Sequence, residues 1–133
     1  FLSFGLKTGW ETNLDLAKEK AVKEEKYILL NFSGSDWCGS CIKLDRELFE
    51  KDTFIGYANK NLILLNADFP QKKKNGLSAE QVKHNELLAE KHNPNGSFPK
   101  TVILNSKGEE IGEMAYPCKD AGEYINSINK LIK

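Results

Sequence analysis

The sequence predicts a single α/β domain with a mixed central β-sheet and helices on both faces of that sheet. Two unbroken apolar runs, residues 27–32 and 61–67, are typical of strands that are covered on both faces in a parallel sheet. A helical pattern lies between them, and a crossover helix between two buried strands implies parallel pairing. Two later apolar segments flank a short turn and predict an antiparallel hairpin, which makes the sheet mixed.

The first half of the chain predicts an arm, a helix, a strand and a second helix. Residues 1–11 are expected to form an extended N-terminal arm that covers the core, with Trp10 packed against it. Thr12 or Asn13 is the expected N-cap of the first helix, which runs to about residue 25. After the strand at residues 27–32, the next helix begins at the cysteines and continues to about residue 50.

The second half begins with the strand at residues 61–67 and a polar loop at residues 70–76. Lys72, Lys73 and Lys74 are expected to be the solvated tip of that loop, with a docking patch for an acidic partner as the alternative. Ser78 and Gln81 predict a capping box that opens the next helix, which ends at residues 93–96.

A hairpin and a last helix complete the predicted domain, which spans residues 1–133. Its strands, at residues 101–104 and 111–115, flank the turn at residues 105–108. Asp120 with Glu123 is expected to cap the last helix, which carries one apolar stripe. No repeat or linker divides the chain.

Charge and composition exclude several classes of protein. Lysine plus arginine and aspartate plus glutamate number 19 each, so no global field attracts nucleic acid or an anionic membrane. No apolar run approaches the roughly 18 residues that span a bilayer, so we expect a soluble protein without membrane insertion. The first residue is Phe1 rather than methionine, and we therefore expect a processed or trimmed chain from which an export signal could have been removed.

Two of the three cysteines, Cys38 and Cys41, stand at a strand-to-helix junction. At this spacing they share one face of a first helical turn and can close and reopen a disulfide. Because a helix N-terminus favours thiolate, Cys38 is expected to be the nucleophile and Cys41 the resolving thiol. The alternatives are a static disulfide and half of a zinc site. Zinc needs two more ligands, and the two histidines, His84 and His92, are too far apart for the usual spacing, so we expect no metal.

The segment Trp37-Cys38-Gly39-Ser40-Cys41 resembles the Trp-Cys-Gly-X-Cys motif of the thioredoxin superfamily. A second match is Phe98-Pro99-Lys100, which stands where thioredoxins carry the cis-proline that faces the cysteine pair. The likeness covers nearly the whole chain from about Trp10. Residues 36–39 and 69–90 are most similar to exported bacterial thioredoxin-like proteins.

This resemblance implies a thioredoxin-like fold and a thiol–disulfide oxidoreductase that acts on protein thiols and disulfides. It implies no cofactor beyond the redox-active disulfide Cys38–Cys41, an upstream reductant still to be identified, and a periplasmic or otherwise exported location. The substrate-binding residues that it implies are Trp37, Gly39, Ser40, Phe98 and Pro99. Such a proline presents the neighbouring backbone for strand-like pairing with an extended substrate.

Two departures from the family pattern affect proton transfer and redox direction. Asn31 takes the place of the family's buried aspartate and Leu64 that of a nearby lysine, so Glu47, Asp68 and water remain candidates for the proton route to Cys41. The dipeptide Gly39-Ser40 lacks the histidine of oxidising relatives, which favours a reductase or an intermediate potential. A disulfide oxidase or isomerase, or a non-catalytic binding module, stays open.

Several other residues have simpler expected roles. Cys118 is expected to be a small buried hydrophobe rather than a third redox partner. His84 and His92 are expected to be solvated surface residues, and Asp36 is expected to face water. Trp37 is different, because its place beside the nucleophile favours an exposed contact surface.

Overall fold

The structure is a computed structural model that describes residues 9–133, and residues 1–8 of the predicted arm at residues 1–11 lie outside the described residues. A π-helical segment stands between the second and third helices, a 3₁₀ turn follows the second strand, and the last two strands are consecutive. In chain order the elements are α1 (Leu14–Glu24), β1 (Tyr27–Ser33), α2 (Gly39–Leu44), the π-helical segment (Asp45–Phe49), α3 (Asp52–Asn61), β2 (Leu62–Asp68), the 3₁₀ turn (Lys73–Asn75), α4 (Ala79–His92), β3 (Lys100–Leu104), β4 (Glu110–Met114) and α5 (Ala121–Ile132).

The four strands form one mixed sheet in the order β2-β1-β3-β4, which confirms the predicted architecture. β1 pairs in parallel with β2, with Ser33 opposite Asp68 at the end where both strands finish. β1 also pairs antiparallel with β3, which places Phe32 opposite Lys100. The carboxyl ends of β1 and β2 and the first residue of β3 therefore meet at one end of the sheet.

Each face of the sheet is covered by its own apolar cluster. On one face, Leu30 and Phe32 of β1 pack against Ala17 and Ala21 of α1 and against Leu88 of α4. On the other face lies a second cluster with residues from α2, α3 and α5, among them Leu29, Leu44, Phe54, Tyr124 and Ile128. Full burial of one such large side chain contributes about 1.5–3 kcal/mol. These two layers hold β1, and with it the chain that leads to Cys38, in a fixed position.

The helix α3 is an element that the prediction missed. The second predicted helix ran to about residue 50 and the next strand began at residue 61, with no helix between them. The structure places α3 there, with Phe54 and Ala58 buried against the sheet. Gly56 in the helix centre lowers its intrinsic propensity, so tertiary burial rather than local preference stabilises this helix.

The predicted N-cap residues of α1, α4 and α5 are confirmed. In α4, however, the side chain of Gln81 bonds to a different partner from the one predicted. The side chain of Asn13 accepts the Leu16 N–H at 3.0 Å, and that of Asp120 accepts the Glu123 N–H at 2.9 Å. Ser78 Oγ accepts the Gln81 N–H at 3.1 Å, as in a capping box. The Gln81 side chain does not return to Ser78, however, because its Nε2 donates to the carbonyl oxygen of Thr12 at 2.8 Å.

The prediction that both histidines are solvated was wrong. His92 is 4% exposed, and its Nδ1 lies 2.9 Å from Glu110 Oε1. His84 is half-buried, and its Nε2 accepts the Leu14 N–H at 2.9 Å. The first amides of a helix have no partner within that helix, so His84 supplies one of the acceptors that α1 needs.

Trp10 packs into the second cluster, as predicted, with its ring centroid 5.1 Å from that of Phe49. The following residue, Glu11, bridges to the sheet beside Leu65. Its N–H donates to the Leu64 carbonyl at 2.7 Å, and its carbonyl accepts the Asn66 N–H at 2.9 Å. The described end of the arm therefore lies along the open edge of β2.

Candidate active site

Cys38 and Cys41 are joined by a disulfide at the start of α2, with their Cα atoms 5.2 Å apart. The segment of residues 34–37, here called the motif loop, connects them to the end of β1. Cys38 is the N-cap of α2, and its Sγ accepts the Cys41 N–H at 3.2 Å. The Gly34 N–H points to the Sγ of Cys41 at 3.5 Å.

The two sulfurs differ in their access to solvent and in their surroundings. Cys38 is 6% exposed and Cys41 is 1% exposed, whereas Gly39 and Ser40 between them are exposed. The amide that already points to Cys38 Sγ would stabilise negative charge on that sulfur, as would the positive end of the helix. Of the two residues, Cys38 is the more accessible to a partner.

An aromatic cluster of Trp37, Phe69 and Phe98 lies beside the cysteines. Trp37 is 40% exposed, and its ring centroid is 5.4 Å from that of Phe98. Phe98 in turn lies 5.5 Å from Phe69, and Trp37 Nε1 donates to the Phe69 carbonyl at 2.7 Å. Sequence reasoning named Trp37 and Phe98 but missed Phe69. The available signal was its position directly after β2, because the parallel pairing brings the ends of β1 and β2 together.

Pro99 lies at the entrance to β3, and the Phe98–Pro99 peptide bond is cis, as the resemblance implied. The next residue, Lys100, pairs with Phe32 of β1, one residue before that strand ends. The chain before β3 thus lies at the same end of the sheet as the motif loop. Of the predicted substrate-binding residues, the structure brings Trp37 and Phe98 into direct ring contact.

Two aspartates fasten the motif loop to the segment that follows β2. Asp36 accepts the N–H groups of Gln71 at 2.9 Å and Lys72 at 3.0 Å, and Nδ2 of Asn75 at 2.9 Å. We call this arrangement the Asp36 clamp. The Gln71 amide, followed by the Asn75 side chain, lowers the pKa of Asp36 below its ordinary value. The prediction that Asp36 faces water therefore holds in part, because the partly exposed carboxylate also accepts three hydrogen bonds.

Asp68 supports the motif loop from the other side. Its carboxylate accepts the Ser35 N–H at 2.9 Å, the Ser35 hydroxyl at 2.6 Å and the Phe69 N–H at 3.0 Å. Asp68 itself is 5% exposed. A buried carboxylate is costly unless donors satisfy it, and here the loop before Cys38 supplies two of them.

Three neutral polar side chains, one each from β2, β1 and β3, are hydrogen-bonded in a row within the sheet near the site. Asn31 is 1% exposed; its Nδ2 donates to Asn66 Oδ1 at 3.2 Å, and its Oδ1 accepts the Thr101 hydroxyl at 2.8 Å. The three residues are Asn66, Asn31 and Thr101. Asn31, which the resemblance places at the position of the family's buried aspartate, is thus hydrogen-bonded to neutral groups. Of the other proton-transfer candidates, Asp68 is engaged by the motif loop and Glu47 is exposed.

The third cysteine lies at the margin of the second core cluster. Cys118 is half-buried rather than buried, and its Sγ points to the Asp120 carbonyl at 3.7 Å. Burial, followed by the charges of Glu123 and Asp120, raises the pKa of its thiol. The prediction of a small hydrophobic role therefore holds in part, since the side chain packs against the core while part of it stays accessible.

Neither a metal centre nor a membrane-spanning helix is found between residues 9 and 133. No group of three or more His, Cys, Asp or Glu side chains in that range could hold a metal ion. None of its helices has the length and hydrophobicity that a bilayer crossing requires.

Comparison with known proteins identifies similar sequences. A family model described as thioredoxin-like matches residues 9–106. The protein "Disulfide bond reductase DsbH" of Chlamydia pneumoniae is 30% identical over 124 residues, which cover 93% of this chain and 72% of that protein. The "Thioredoxin-related protein DsbJ" of the same organism is 24% identical over 102 residues, which cover 77% of this chain but 28% of that protein.

Solved structures give a matching result. A structure titled "DsbH Oxidoreductase" superposes with a TM-score of 0.84 at 25% identity, covering 99% of this chain and 94% of that one. A thioredoxin from Thermus thermophilus has a TM-score of 0.69 at 12% identity, with 94% and 87% covered. The oxidised C-terminal domain of DsbD from Neisseria meningitidis has a TM-score of 0.58 at 20% identity, with 89% and 92% covered. The last two likenesses concern the fold.

Proposed function

We propose that this chain, which belongs to the thioredoxin-like family and is a protein thiol–disulfide oxidoreductase, works in the reducing direction on protein disulfides. The observation that carries the proposal is that the two residues between the cysteines are Gly39 and Ser40, which place no histidine beside Cys38. A histidine there would stabilise the Cys38 thiolate, and with it the reduced form, which makes a cysteine pair a stronger oxidant, so its absence favours the reducing direction. The similarity to a protein named disulfide bond reductase supports the same direction.

The reaction transfers two electrons in two exchange steps. The Cys38 thiolate attacks one sulfur of the substrate disulfide, which forms a mixed disulfide and releases the other substrate sulfur as a thiolate. Cys41 then attacks Cys38 Sγ, closes the Cys38–Cys41 disulfide and releases the second substrate thiolate. The two substrate thiolates take up protons according to their pKa values, and the protein is left oxidised.

The substrate is proposed to lie across the aromatic cluster and the exposed start of α2. Gly39 and Ser40 are exposed in front of the cysteines, so a chain can approach without displacing a side chain of the core. Phe98 and Pro99 stand before β3, where the backbone can pair with an extended substrate segment. Trp37, with 40% of its surface exposed, adds an apolar contact beside the nucleophile.

The remaining features of the proposed cycle follow from this chemistry. The cysteine pair itself carries the electrons, so we propose that the protein needs no further cofactor. An upstream dithiol must then reduce the Cys38–Cys41 disulfide after each turnover. We also propose a single domain over residues 1–133 and an exported location, supported by the resemblance to exported thioredoxin-like proteins. Detection of the native protein in extracytoplasmic rather than cytoplasmic cell fractions would test the location.

The roles of the two cysteines are tested in a Cys118→Ser background, so that no third thiol interferes. Cys41→Ser should accumulate a mixed disulfide with a substrate protein, because the second step is removed. Cys38→Ser should lose insulin-reducing activity and form no such adduct. Full activity in Cys38→Ser, or adducts through Cys41 alone, would refute the assignment.

A further inference from the structure

A turn of three lysines lies beside the motif loop. The backbone N–H of Lys72 donates to Asp36 at 3.0 Å, and Asp36 precedes Cys38 by two residues. The side chains of Lys72, Lys73 and Lys74, here called the lysine turn, are all exposed. The Asp36 clamp therefore holds an exposed cationic turn next to the approach to the nucleophile, although the two segments are far apart in sequence.

The three segments that build the site carry more lysines than acidic residues, although the chain as a whole is neutral. The segments 33–43, 68–76 and 93–100, which build the site, contain five lysines and two aspartates. They are Lys43, Lys72, Lys73, Lys74, Lys100, Asp36 and Asp68. Lys100 lies 3.6 Å from Glu113, which balances its charge. The other lysines of these segments are Lys43 and the three of the lysine turn.

The two aspartates of the site are directed to the protein rather than to a substrate. Asp36 and Asp68 each accept three hydrogen bonds from neighbouring backbone and side-chain groups. Asp68 is in addition buried. The side chains of the lysine turn are exposed, whereas the oxygens of the two carboxylates are already occupied by these donors.

We propose that the lysine turn selects protein disulfides that are flanked by acidic residues. This inference rests on the reductase function proposed above and adds a substrate class to it. The proposal requires that an acidic segment beside the substrate cysteine comes within a Debye length of the lysine turn, which is about 8–10 Å at ordinary ionic strength. Attraction over that range raises the rate of encounter, and lysines beside the substrate cysteine lower it. The lysine turn takes no part in the exchange chemistry.

The test uses three peptides that carry the same mixed disulfide and differ only in the residues beside the cysteine. These residues are glutamate, glutamine or lysine. The second-order rate constant for reduction by the fully reduced protein is measured at about 20 mM and about 500 mM salt. At low salt the glutamate peptide should react at least about threefold faster than the lysine peptide. At high salt the ratio should approach one, because the charges are screened.

Two variants connect the effect to the lysine turn. Lys72→Glu with Lys73→Glu should invert the ratio at low salt, and Lys72→Gln with Lys73→Gln should bring it near one without adding negative charge beside Asp36. The clamp uses the backbone N–H of Lys72, so both variants keep it. The matched control is Lys23→Glu with Lys60→Glu. These exposed residues precede β1 and β2 at the opposite end of the sheet, so the control should keep the wild-type ratio.

The outcomes separate this inference from the reductase function. Equal rates for the glutamate and lysine peptides at low salt, or an equal change in the lysine-turn and control variants, would overturn the charge selection. The glutamine peptide reports on the function itself, because it carries no flanking charge. If that peptide is not reduced in a reaction that requires Cys38, the proposed function fails instead.

Discussion

The indole Nε1 of Trp37 donates a 2.7 Å hydrogen bond to the backbone carbonyl of Phe69, which connects the residue before the nucleophile to the chain just after β2. The ring is also held at its edge by Phe98. One aromatic side chain is thus fixed by contacts from the two other segments that surround the cysteines. These contacts give the exposed surface of Trp37 a defined position in the site.

Gly34 is expected to be necessary for this placement of Trp37. A Cβ atom at position 34 would lie inside van der Waals contact of the indole ring. Gly34→Ala should therefore displace the ring, break the bond to Phe69 and cost about 1–3 kcal/mol in the free energy of unfolding. Urea unfolding and the emission maximum of tryptophan measure the two effects.

Gly56 provides the control for that substitution. It lies within α3 with open space around its Cα, so Gly56→Ala should be neutral or stabilise by up to about 1 kcal/mol. In the double variant Gly34→Ala with Trp37→Ala, the penalty of Gly34→Ala should shrink because the ring is absent. An unchanged emission spectrum and unchanged stability in Gly34→Ala would show that the ring does not depend on this glycine.

Asp36→Asn should change how the free energy of unfolding depends on pH. The folded-state pKa of Asp36 is lowered by its three donors, so its ionised form contributes stability above the unfolded value of about 3.9. That contribution is lost as the pH falls through the lower folded-state pKa. Asp36→Asn should therefore be less stable than wild type at pH 7, and the difference should shrink below about pH 4. Urea midpoints between pH 2.5 and 7 test this, with Glu90→Gln on α4 as the control. A difference that stays constant with pH would contradict the role of the clamp.

In Asn31→Asp, the change in stability with pH should have the opposite sign to that in Asp36→Asn. The residue is 1% exposed, and burial disfavours a charged carboxylate, so its folded-state pKa would be raised. The variant should be least destabilised below about pH 4 and lose further stability, relative to wild type, as the pH rises above that value. Thr101 can still donate to the new carboxylate, but Asn66 loses its donor. Urea midpoints over the same pH range decide the matter; a pH-independent difference would mean that the site accepts the charge.

Cys118 should react slowly in the oxidised protein, in which Cys38 and Cys41 are blocked by their disulfide. Its raised thiol pKa leaves less thiolate at neutral pH than an unstructured cysteine has. Iodoacetamide labelling followed by mass spectrometry at pH 6–10 should show a slower rate than glutathione and a profile shifted to higher pH. Cys118→Ser provides the unlabelled control. A profile that matches glutathione would mean that burial does not protect this thiol.

Much of the fold could be predicted because buried strands, turns and helix caps each have a local sequence pattern. The apolar runs of β1 and β2, the turn before β4 and the caps at Asn13 and Asp120 all identify their elements directly. The helix α3 could not be found in this way because Gly56 interrupts its propensity. Its apolar spacing at Phe54, Tyr57 and Ala58 was the signal that could have indicated it.

At the site, the sequence motif at residues 37–41 was enough to identify Trp37, Cys38 and Cys41. The cis-proline Pro99 was identified from the resemblance to the thioredoxin superfamily. The partners of Asp36 and Asp68 could not, because they arise from strand pairing that joins residues about 35 positions apart in sequence. The burial of His84 and His92 escaped prediction for a similar reason. Each is held by a group on another element, Leu14 or Glu110, that the local polarity of α4 does not reveal.

The Asp36 clamp also determines what can be transplanted. A chimera that moved only residues 34–41 onto another thioredoxin-like scaffold would leave Asp36 without the amides of Gln71 and Lys72 and without the side chain of Asn75. The portable unit is therefore two pieces of chain, the cysteine motif and the segment from Asp68 to Asn75, which have to be exchanged together.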